Sequence, residues 1–176
     1  MKDITTIKDA AIYVGTYGKY NNGSIEGKWM NLADYSSKED FLKACAELHK
    51  DEDDDSRELM FQDWENIPDG LVGESFVSPV IWDMMETDDR DLEIMYNYCE
   101  AVGAEITEDN FSDLLEESQD RFYGEYDSES DLAYDYVENM GREVPEWLSC
   151  YIDYEKMGRE LAWDFYQFNG FYYWTR

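Results

Sequence analysis

Short apolar runs broken by turn residues open the chain, and apolar residues at helical spacing follow them. Ala11–Val14 and Ile25–Leu32 are two such runs, and the segment between them, Lys19–Gly23, is rich in turn-forming residues. Two apolar runs joined through a turn-rich segment predict a β-hairpin. We therefore expect the chain to begin with a pair of antiparallel strands.

A helix and a third strand are predicted next. Ser36-x-x-Glu39 has the spacing of a capping box, and the apolar residues of Phe41–Leu48 recur at helical intervals, which predicts a helix of about fourteen residues. Five consecutive acids, Asp51–Asp55, interrupt this pattern. The run Leu59–Phe61 then predicts the third strand.

The rest of the chain is predicted to be mainly helical. Capping residues, an N-terminal proline and C-terminal glycines delimit the helices. The predicted helices are Ser78–Met85, Asp88–Val102 before Gly103, Thr107–Glu117, Ser128–Met140 before Gly141, and Tyr151–Leu161. Asn169-Gly170 lies between the aromatic runs Trp163–Phe168 and Phe171–Thr175, and Asn-Gly in such a context is the strongest short-range signal for a hairpin.

These elements predict an α+β fold. Because the chain contains no long linker rich in proline, glycine or serine, we expect small sub-domains packed in series. The predicted domains are residues 1–64, with the hairpin, a helix and a strand; residues 65–118, a helical unit; and residues 119–176, helices with the Asn-Gly hairpin.

Charge changes this picture. The chain of 176 residues carries 43 Asp and Glu against 14 Lys and Arg, a formal net charge of −29. Acid-rich chains with few aromatics stay unfolded, but 15 Tyr, 8 Phe and 6 Trp provide material for a core. A net charge of magnitude about 2 to 8 suffices for solubility of a small domain, so the excess predicts a basic partner and repulsion from nucleic acid and anionic membranes.

The acids are concentrated after residue 60. Residues 1–60 hold 13 acids and 8 bases, residues 61–110 hold 14 acids and one base, and residues 111–176 hold 16 acids and 5 bases. Many of these acids recur at helical spacing, which places them in stripes on predicted helix faces. The stripes are Asp109, Asp113, Glu116, Glu117 and Asp120; Asp131, Asp135 and Glu138; and Glu86, Glu93 and Glu100.

Nothing in the sequence offsets the repulsion within these stripes. Like charges four residues apart cost a helix about 0.2–0.5 kcal/mol per pair, and Arg90 is the only base between residues 58 and 120. An ordinary solvated helix face uses both signs of charge. The stripes are therefore predicted to be functional.

Enzymatic chemistry is not supported. Walker, dinucleotide-binding and nucleophile-elbow motifs are absent, so no catalytic residue, cofactor or enzyme activity is predicted. Three scattered cysteines and a single histidine do not suit disulfides or zinc, and each cysteine is expected to be a small buried apolar residue. Asp51-x-Asp53-x-Asp55 begins like a calcium loop, but Ser56 replaces its glycine and Gln62 its bidentate glutamate. No metal site is predicted.

Two further features bear on location. No apolar run approaches the 18 or more residues of a membrane span, and the N-terminal residues lack the apolar stretch of a signal peptide. A cytoplasmic protein is expected.

Three segments match a known pattern in their order along the chain. They are Ile12-Tyr13-Val14 with Tyr20-Asn21-x-Gly23 and Gly27-x-Trp29; LEESQDRFYGEYDSESDLAYDYVE at Leu115–Glu138, densest at Tyr123–Ser128 and Asp131-x-Ala133; and Tyr151–Tyr154 with Gly158–Leu161. Together they resemble the ArdA antirestriction family, and the second segment resembles its antirestriction motif. The resemblance extends from about residue 11 over nearly the whole chain.

The resemblance implies an elongated homodimer of three small domains whose carboxylates imitate the phosphates of bent B-form DNA. Such proteins occupy the DNA-binding groove of type I restriction-modification enzymes and protect mobile elements entering a bacterium. The carboxylates assigned to this DNA-mimic surface are Glu86, Asp89, Glu93, Glu100, Asp109, Asp113, Glu116, Glu117, Asp120, Glu125, Asp127, Asp131, Asp135 and Glu138.

Apolar and aromatic residues of the motif are assigned a structural role. They are Tyr123, Tyr126, Leu132, Tyr136 and Met140. The last three share a helix face that packs either against the core or against the other subunit. The chain departs from the family at two points: Leu132 stands where an aromatic is common, and the run Asp51–Asp55 resembles an insertion.

Two other interpretations remain open at the level of sequence. One is an acidic adaptor or chaperone for a basic nucleic-acid-binding protein, which would bind its partner without competing against DNA. The other is a halophilic housekeeping protein, although seven of the eight lysines precede Asp51 and halophile surfaces exclude lysine.

Overall fold

The protein has the α+β fold that the sequence predicts. The computed structural model describes residues 4–50, 58–139 and 144–176. The strands in these ranges are β1 (Ala11–Thr16), β2 (Lys28–Asn31), β3 (Leu59–Glu65), β4 (Val72–Gly73), β5 (Phe76–Val77), β6 (Phe122–Glu125), β7 (Phe165–Phe168) and β8 (Phe171–Trp174). The α-helices are α1 (Tyr17–Asn21), α2 (Lys38–Leu48), α3 (Val80–Glu86), α4 (Asp89–Val102), α5 (Phe111–Arg121), α6 (Glu129–Asn139), α7 (Glu146–Ser149) and α8 (Tyr154–Leu161). Short 3₁₀ helices are Ile4–Asp9, Leu32–Asp34 and Ala162–Asp164.

The chain divides into two compact units. The first comprises Met1–Glu93 with Ile106–Phe111, and the second comprises Ile94–Glu105 with Ser112–Arg176. The three-domain division at residues 64 and 118 stays a prediction.

A three-stranded antiparallel sheet of order β2-β1-β3 organises the first unit. Its central strand pairs Ala11 with Asn31 and Val14 with Lys28, which confirms the predicted N-terminal hairpin. The connection between these strands contains α1, which the sequence did not predict. Thr16 caps this short helix because its hydroxyl oxygen accepts a hydrogen bond from the Lys19 amide at 3.1 Å.

Aromatic side chains from different elements fill the core of the first unit. Phe41 of α2 lies 6.0 Å from Phe61 of β3 and 6.0 Å from Trp82 of α3, measured between ring centroids, and all three are buried. Trp82 satisfies its indole N–H by donating to the Tyr35 carbonyl at 2.9 Å. Burial of these rings is the main stabilising term for the unit.

The start of α2 corrects the predicted cap by one residue. Ser37, not Ser36, has the extended backbone of an N-cap, and its hydroxyl accepts from the Asp40 amide at 3.3 Å. The hydroxyl of Ser36 donates to the Asp40 carboxylate instead. The helix therefore has 11 residues, fewer than predicted.

Two other predictions for the first unit need correction. The unit predicted to be helical, residues 65–118, also contains strands, because β4 and β5 form a small antiparallel hairpin before Ser78, with Val72 opposite Val77. Strands of two residues leave no alternation that sequence periodicity could detect. In addition, Pro79 is the N-cap of α3 and not its first helical residue, and its side chain makes no capping hydrogen bond.

The second unit contains a three-stranded antiparallel sheet of order β6-β8-β7. Asn169 and Gly170 both have positive φ, 51° and 85°, as a two-residue hairpin turn with the right twist requires. The predicted Asn-Gly hairpin is confirmed, although β7 begins at Phe165 and not at Trp163.

Helices α6 and α8 pack on each other in this unit, beside an aromatic core. Leu132, Phe165 and Tyr172 form the buried cluster, and partly buried rings pack around it. Gly158 on α8 allows the close approach of α6, because a Cβ atom there would lie 2.1 Å from the carbonyl oxygen of Glu129. No L-residue with a side chain fits this contact without moving a helix.

The beginning of α8 differs from the prediction. It starts at Tyr154, capped by Asp153, which accepts from the Lys156 amide at 3.0 Å. Residues before this cap form a separate turn around α7, in which the Tyr151 amide donates to the Leu148 carbonyl. For the helix predicted at Ser128–Met140, which corresponds to α6, the C-terminal end at Met140 and Gly141 lies outside the described residues.

The cysteines fulfil the expectation in two cases of three. Cys45 and Cys99 are buried, and burial raises the pKa of their thiols to about 12 and about 11. Cys150 is exposed, because it follows α7 in a surface turn where its Sγ donates to the Trp147 carbonyl.

Substituting Gly158 tests the contact between α6 and α8. Alanine at this position of a helix would by itself add about 0.5–1 kcal/mol of stability relative to glycine. The overlap with the Glu129 backbone outweighs this gain, so we expect Gly158→Ala to lower the free energy of unfolding by about 1–3 kcal/mol in urea denaturation. Lys156→Ala, at an exposed position of the same helix, is the control and should change stability by less than about 0.5 kcal/mol. An unchanged or raised stability for Gly158→Ala would contradict the packing described here.

Candidate functional site

Helix α5 carries the densest of the predicted acidic stripes. Phe111 and Leu114 lie on its buried apolar side and are 7% and 8% exposed. The acids Asp113, Glu116, Glu117 and Asp120 are all exposed on the other side. Asp109, which was predicted in the same stripe, lies in the turn that precedes the helix.

Helix α6 also separates apolar from acidic residues. Leu132, Ala133 and Val137 are buried on one side. Asp131 and Glu138 are exposed, whereas Asp135 is half-buried. One member of this predicted stripe therefore differs in environment from the other two.

The third predicted stripe is not a single helix face. Glu86 is the last residue of α3, whereas Glu93 and Glu100 lie on α4, so the seven-residue repeat crosses a helix boundary. Thr87, where α3 ends, has an extended backbone and donates to two carbonyls of α3. The repeat in the sequence could not reveal this break.

Exposure is nonetheless the common property of the predicted carboxylates. Of the fourteen, only Glu93 and Asp135 are half-buried. The twelve exposed residues are Glu86, Asp89, Glu100, Asp109, Asp113, Glu116, Glu117, Asp120, Glu125, Asp127, Asp131 and Glu138. Glu86, Asp89, Glu93 and Asp109 belong to the first unit, and the other ten belong to the second.

Basic side chains of the described residues pair with some of these acids. In the first unit Lys8 binds Asp89, and Arg90 binds Glu93 at 2.7 Å. In the second unit the Nε atom of Arg121 donates to Glu117 at 2.9 Å. These exposed or half-exposed pairs contribute little stability individually.

Arg121 also anchors the end of α5. Its Nη1 atom donates to the carbonyl of Trp174 in β8 at 2.9 Å. The hydroxyl of the buried residue Tyr98 donates to the same Glu117 carboxylate, and burial, helped by this carboxylate, raises the pKa of Tyr98 to about 12. Glu117 therefore has structural partners, although its side chain is still 46% exposed.

Asp135 lies at the centre of a hydrogen-bonded cluster. The Tyr126 hydroxyl donates to its Oδ2 atom at 2.7 Å, and the Asn139 side-chain amide donates to the same atom at 2.9 Å. The Tyr123 hydroxyl is a further hydrogen-bond partner. We call Tyr123, Tyr126, Asp135 and Asn139 the tyrosine–aspartate cluster.

Ionisation of the tyrosines in this cluster is suppressed. Burial, reinforced by the Asp135 carboxylate, raises the pKa of Tyr123 to about 12 and raises the pKa of Tyr126 further. A tyrosine in an unfolded chain ionises near pH 10. The cluster thus adds stability that is present in full below about pH 10 and is lost as the pH rises through the folded-state pKa values.

The motif residues have different environments. Leu132 is fully buried in the core of the second unit, and Tyr123 and Tyr126 pack against that core. Tyr136 is half-buried, and Met140 lies outside the described residues. A role for any of these residues in a dimer contact stays a prediction.

Sequence reasoning missed the partners that hold the acidic elements in place. Arg121 and Asn139 were not singled out, although each lies four residues from its acidic partner, a spacing that indicates contact on a helix. No sequence signal connects Tyr98 to Glu117, because that contact depends on the tertiary structure.

Two further properties concern metal binding and membrane insertion. No group of three His, Cys, Asp or Glu side chains that could hold a metal ion occurs among the residues that the structure describes. Within the same ranges, no helix has the length and apolar content to cross a bilayer. The acidic run Asp51–Asp55 falls outside the described residues.

The fold and the outward-facing carboxylates define an acidic α+β protein that presents its charge on folded helices. The sequence profile described as antirestriction protein (ArdA) matches residues 12–172, nearly the whole chain. The chain therefore belongs to the ArdA family of antirestriction proteins, and this membership implies an interaction with restriction enzymes. No curated protein matches the chain.

Neutralising three acids of α5 tests whether the stripe costs stability. Asp113→Asn/Glu116→Gln/Asp120→Asn, the stripe variant, removes four like-charge pairs at three- and four-residue spacing. It also removes the favourable interaction of Asp113 with the N-terminus of α5, so the net stabilisation should be about 0.5 kcal/mol at low salt. Urea denaturation at about 0.01 M and 1 M salt measures the effect, which should shrink at high salt because the charges are screened.

A control with the same change in net charge separates helix repulsion from net charge. Asp34→Asn/Glu39→Gln/Glu65→Gln, the control variant, alters exposed acids of the first unit that lie outside the predicted surface. It should not gain stability, because Glu39 interacts favourably with the N-terminus of α2. Equal stabilisation of both variants would show that net charge alone is responsible.

Proposed function

We propose that this protein is a DNA mimic that competes with DNA for the binding groove of a type I restriction-modification enzyme. The twelve exposed carboxylates occupy sites on the enzyme that bind phosphates through lysine and arginine. The protein thereby prevents the enzyme from engaging its substrate. The observation that carries the proposal is the exposure of these carboxylates, most of which lie on regular helices of the described part of the chain.

The linear density of charge on α5 supports this proposal. Asp113 and Asp120 are seven residues apart, which corresponds to about 10.5 Å along a helix axis. Four carboxylates over that length give a mean axial interval of about 3.5 Å, and one strand of B-form DNA has one phosphate per about 3.4 Å. Arg121 offsets part of the charge of Glu117, and the other three acids alone would have a mean axial interval of about 5 Å.

A folded array of anions gains from the same electrostatic effect as DNA. Binding of a basic groove to DNA releases condensed counterions, which makes affinity fall steeply as salt rises. Carboxylates fixed on helices need little ordering when they bind, so less of the electrostatic gain is lost to entropy. Inhibition by this protein should therefore depend strongly on ionic strength.

The proposal includes a homodimer in the bacterial cytoplasm. Two protomers related by a two-fold axis would double the length of the charged surface. That length suits an enzyme that recognises a site in two halves. The biological role would be to protect a mobile element that enters a bacterium.

A competition titration tests the proposal. A purified type I methyltransferase is bound to labelled DNA, and this protein is added at several salt concentrations. We expect complete displacement of DNA at low salt and a steep loss of inhibition as salt increases. The stripe variant should require about tenfold more protein for half-maximal displacement, since several phosphate-like contacts are removed together. The control variant should behave like the wild type.

Two results would contradict mimicry. If DNA stays bound at low salt at every concentration of the protein, the protein does not occupy the groove. If the protein binds the enzyme or an isolated basic protein without displacing DNA, the acidic adaptor is the better description. Single substitutions within the stripe should change inhibition by less than about threefold, because mimicry distributes energy over many weak contacts.

A further inference from the structure

Asp135 is the predicted mimic residue that the structure sets apart from its neighbours on α6. It is half-buried, whereas Asp131 and Glu138 on the same helix are exposed. Its Oδ2 atom already accepts two hydrogen bonds, from Tyr126 at 2.7 Å and from Asn139 at 2.9 Å. Tyr123 is a third donor. The carboxylate is therefore engaged by groups of its own chain.

The rings that approach Asp135 are themselves fixed. Tyr126 packs edge-on against Tyr172 at 5.8 Å between centroids, and Tyr123 lies 5.2 Å from both Phe165 and Trp174. Their hydroxyls therefore reach Asp135 from a packed core. A half-buried carboxylate held in this way has few acceptor sites left for the basic groups of an enzyme.

The backbone next to the cluster is held at a second point. The Tyr126 amide donates to the Gly170 carbonyl at 2.9 Å, which fixes Tyr126 to the turn of the β7–β8 hairpin. Gly124 leaves room for the Tyr126 ring, since a Cβ atom there would lie 2.6 Å from the Tyr126 hydroxyl oxygen. Two residues beyond Tyr126, the Ser128 hydroxyl caps α6 by accepting a hydrogen bond from the Asp131 amide.

These contacts enclose the segment between β6 and α6, which carries three exposed acids. Glu125 ends the strand, Asp127 lies in the turn, and Asp131 is in the first turn of the helix. The hydrogen bonds between Asp135 and the tyrosines join the beginning of this segment to the second half of α6. Without them, the pairing of Glu125 with Phe171, the backbone contact to Gly170 and the helix cap would still hold the segment, but its link to the second half of α6 would be lost.

We propose that Asp135 is a positioning residue that fixes the segment 125–131, and that it is not part of the phosphate-imitating surface. This proposal rests on the proposed function, because it divides the predicted acids between binding and positioning. Within this segment, it assigns the contact with the enzyme to Glu125, Asp127 and Asp131. Asp135 acts through Tyr123 and Tyr126.

Two variants separate the charge of Asp135 from its hydrogen bonds. Asp135→Asn removes the charge and keeps the shape, and Tyr126→Phe removes the principal donor while leaving the charge in place. If Asp135 positions the segment, both variants should lower Tm, by about 3 °C or more. The stripe variant serves as the comparison for lost surface charge.

The salt dependence of inhibition distinguishes the two roles. The logarithm of the half-inhibitory concentration is plotted against the logarithm of the salt concentration. Loss of one phosphate-type contact should change the slope of this plot by close to one unit. Asp135→Asn and Tyr126→Phe should keep the wild-type slope within about half a unit, whereas the stripe variant should lose about two units or more. A slope reduced by Asp135→Asn and not by Tyr126→Phe would overturn the proposal.

Tyrosine titration supplies a readout that does not depend on the enzyme. Absorbance near 295 nm, followed as the pH rises, reports phenol ionisation. In Asp135→Asn the late-ionising tyrosines should titrate at lower pH, because the repelling carboxylate is gone. An unchanged titration would overturn the proposed contact. If the wild type fails to displace DNA, the proposed function fails, while Tm and the titration still decide whether Asp135 positions its neighbours.

Discussion

Mutual repulsion among carboxylates is the constraint under which this protein folds. Exposed acids line α5 and α6, and each like-charge pair on a helix opposes the fold by a few tenths of a kcal/mol. The opposing term is aromatic burial. Phe41, Phe61 and Trp82 supply it in the first unit, and Phe165 and Tyr172 in the second. The high aromatic content of such an acidic chain is thus a physical requirement for its fold.

Elements with a strong local signal could be predicted from the sequence. The hairpin at Asn169-Gly170 was found because both turn residues must adopt positive φ, which Asn and Gly tolerate best. The β4–β5 hairpin was missed because strands of two residues have no usable period. Helix α8 was extended too far towards its N-terminus because the helical turns before Asp153 have apolar residues at similar spacing. Local rules therefore located most elements, and their limits depended on tertiary contacts.

The candidate site could be predicted in part for the same reason. Helical spacing correctly placed Asp113, Glu116 and Asp120 on one exposed side of α5, since periodicity determines the face of a helix. It also grouped Asp135 with the exposed acids, and the structure shows that residue to be half-buried beside Tyr126. Nine positions separate these two residues, and their contact requires β6 and α6 to meet. Spacing alone cannot distinguish a solvated carboxylate from one that accepts hydrogen bonds from another element of the fold.

The glycine at position 158 has a consequence for how this chain can diverge. Replacement of an exposed aspartate by glutamate keeps the charge and changes stability little, so the acidic faces of α5 and α6 tolerate substitution. The contact between Gly158 and the Glu129 backbone leaves none, because even one methyl group is too large. Sequences that descend from this chain should therefore vary most on the exposed acidic helix faces and least at the contact between α6 and α8. An inhibitor built in this way could follow changes in a target enzyme through its surface while its scaffold remained fixed.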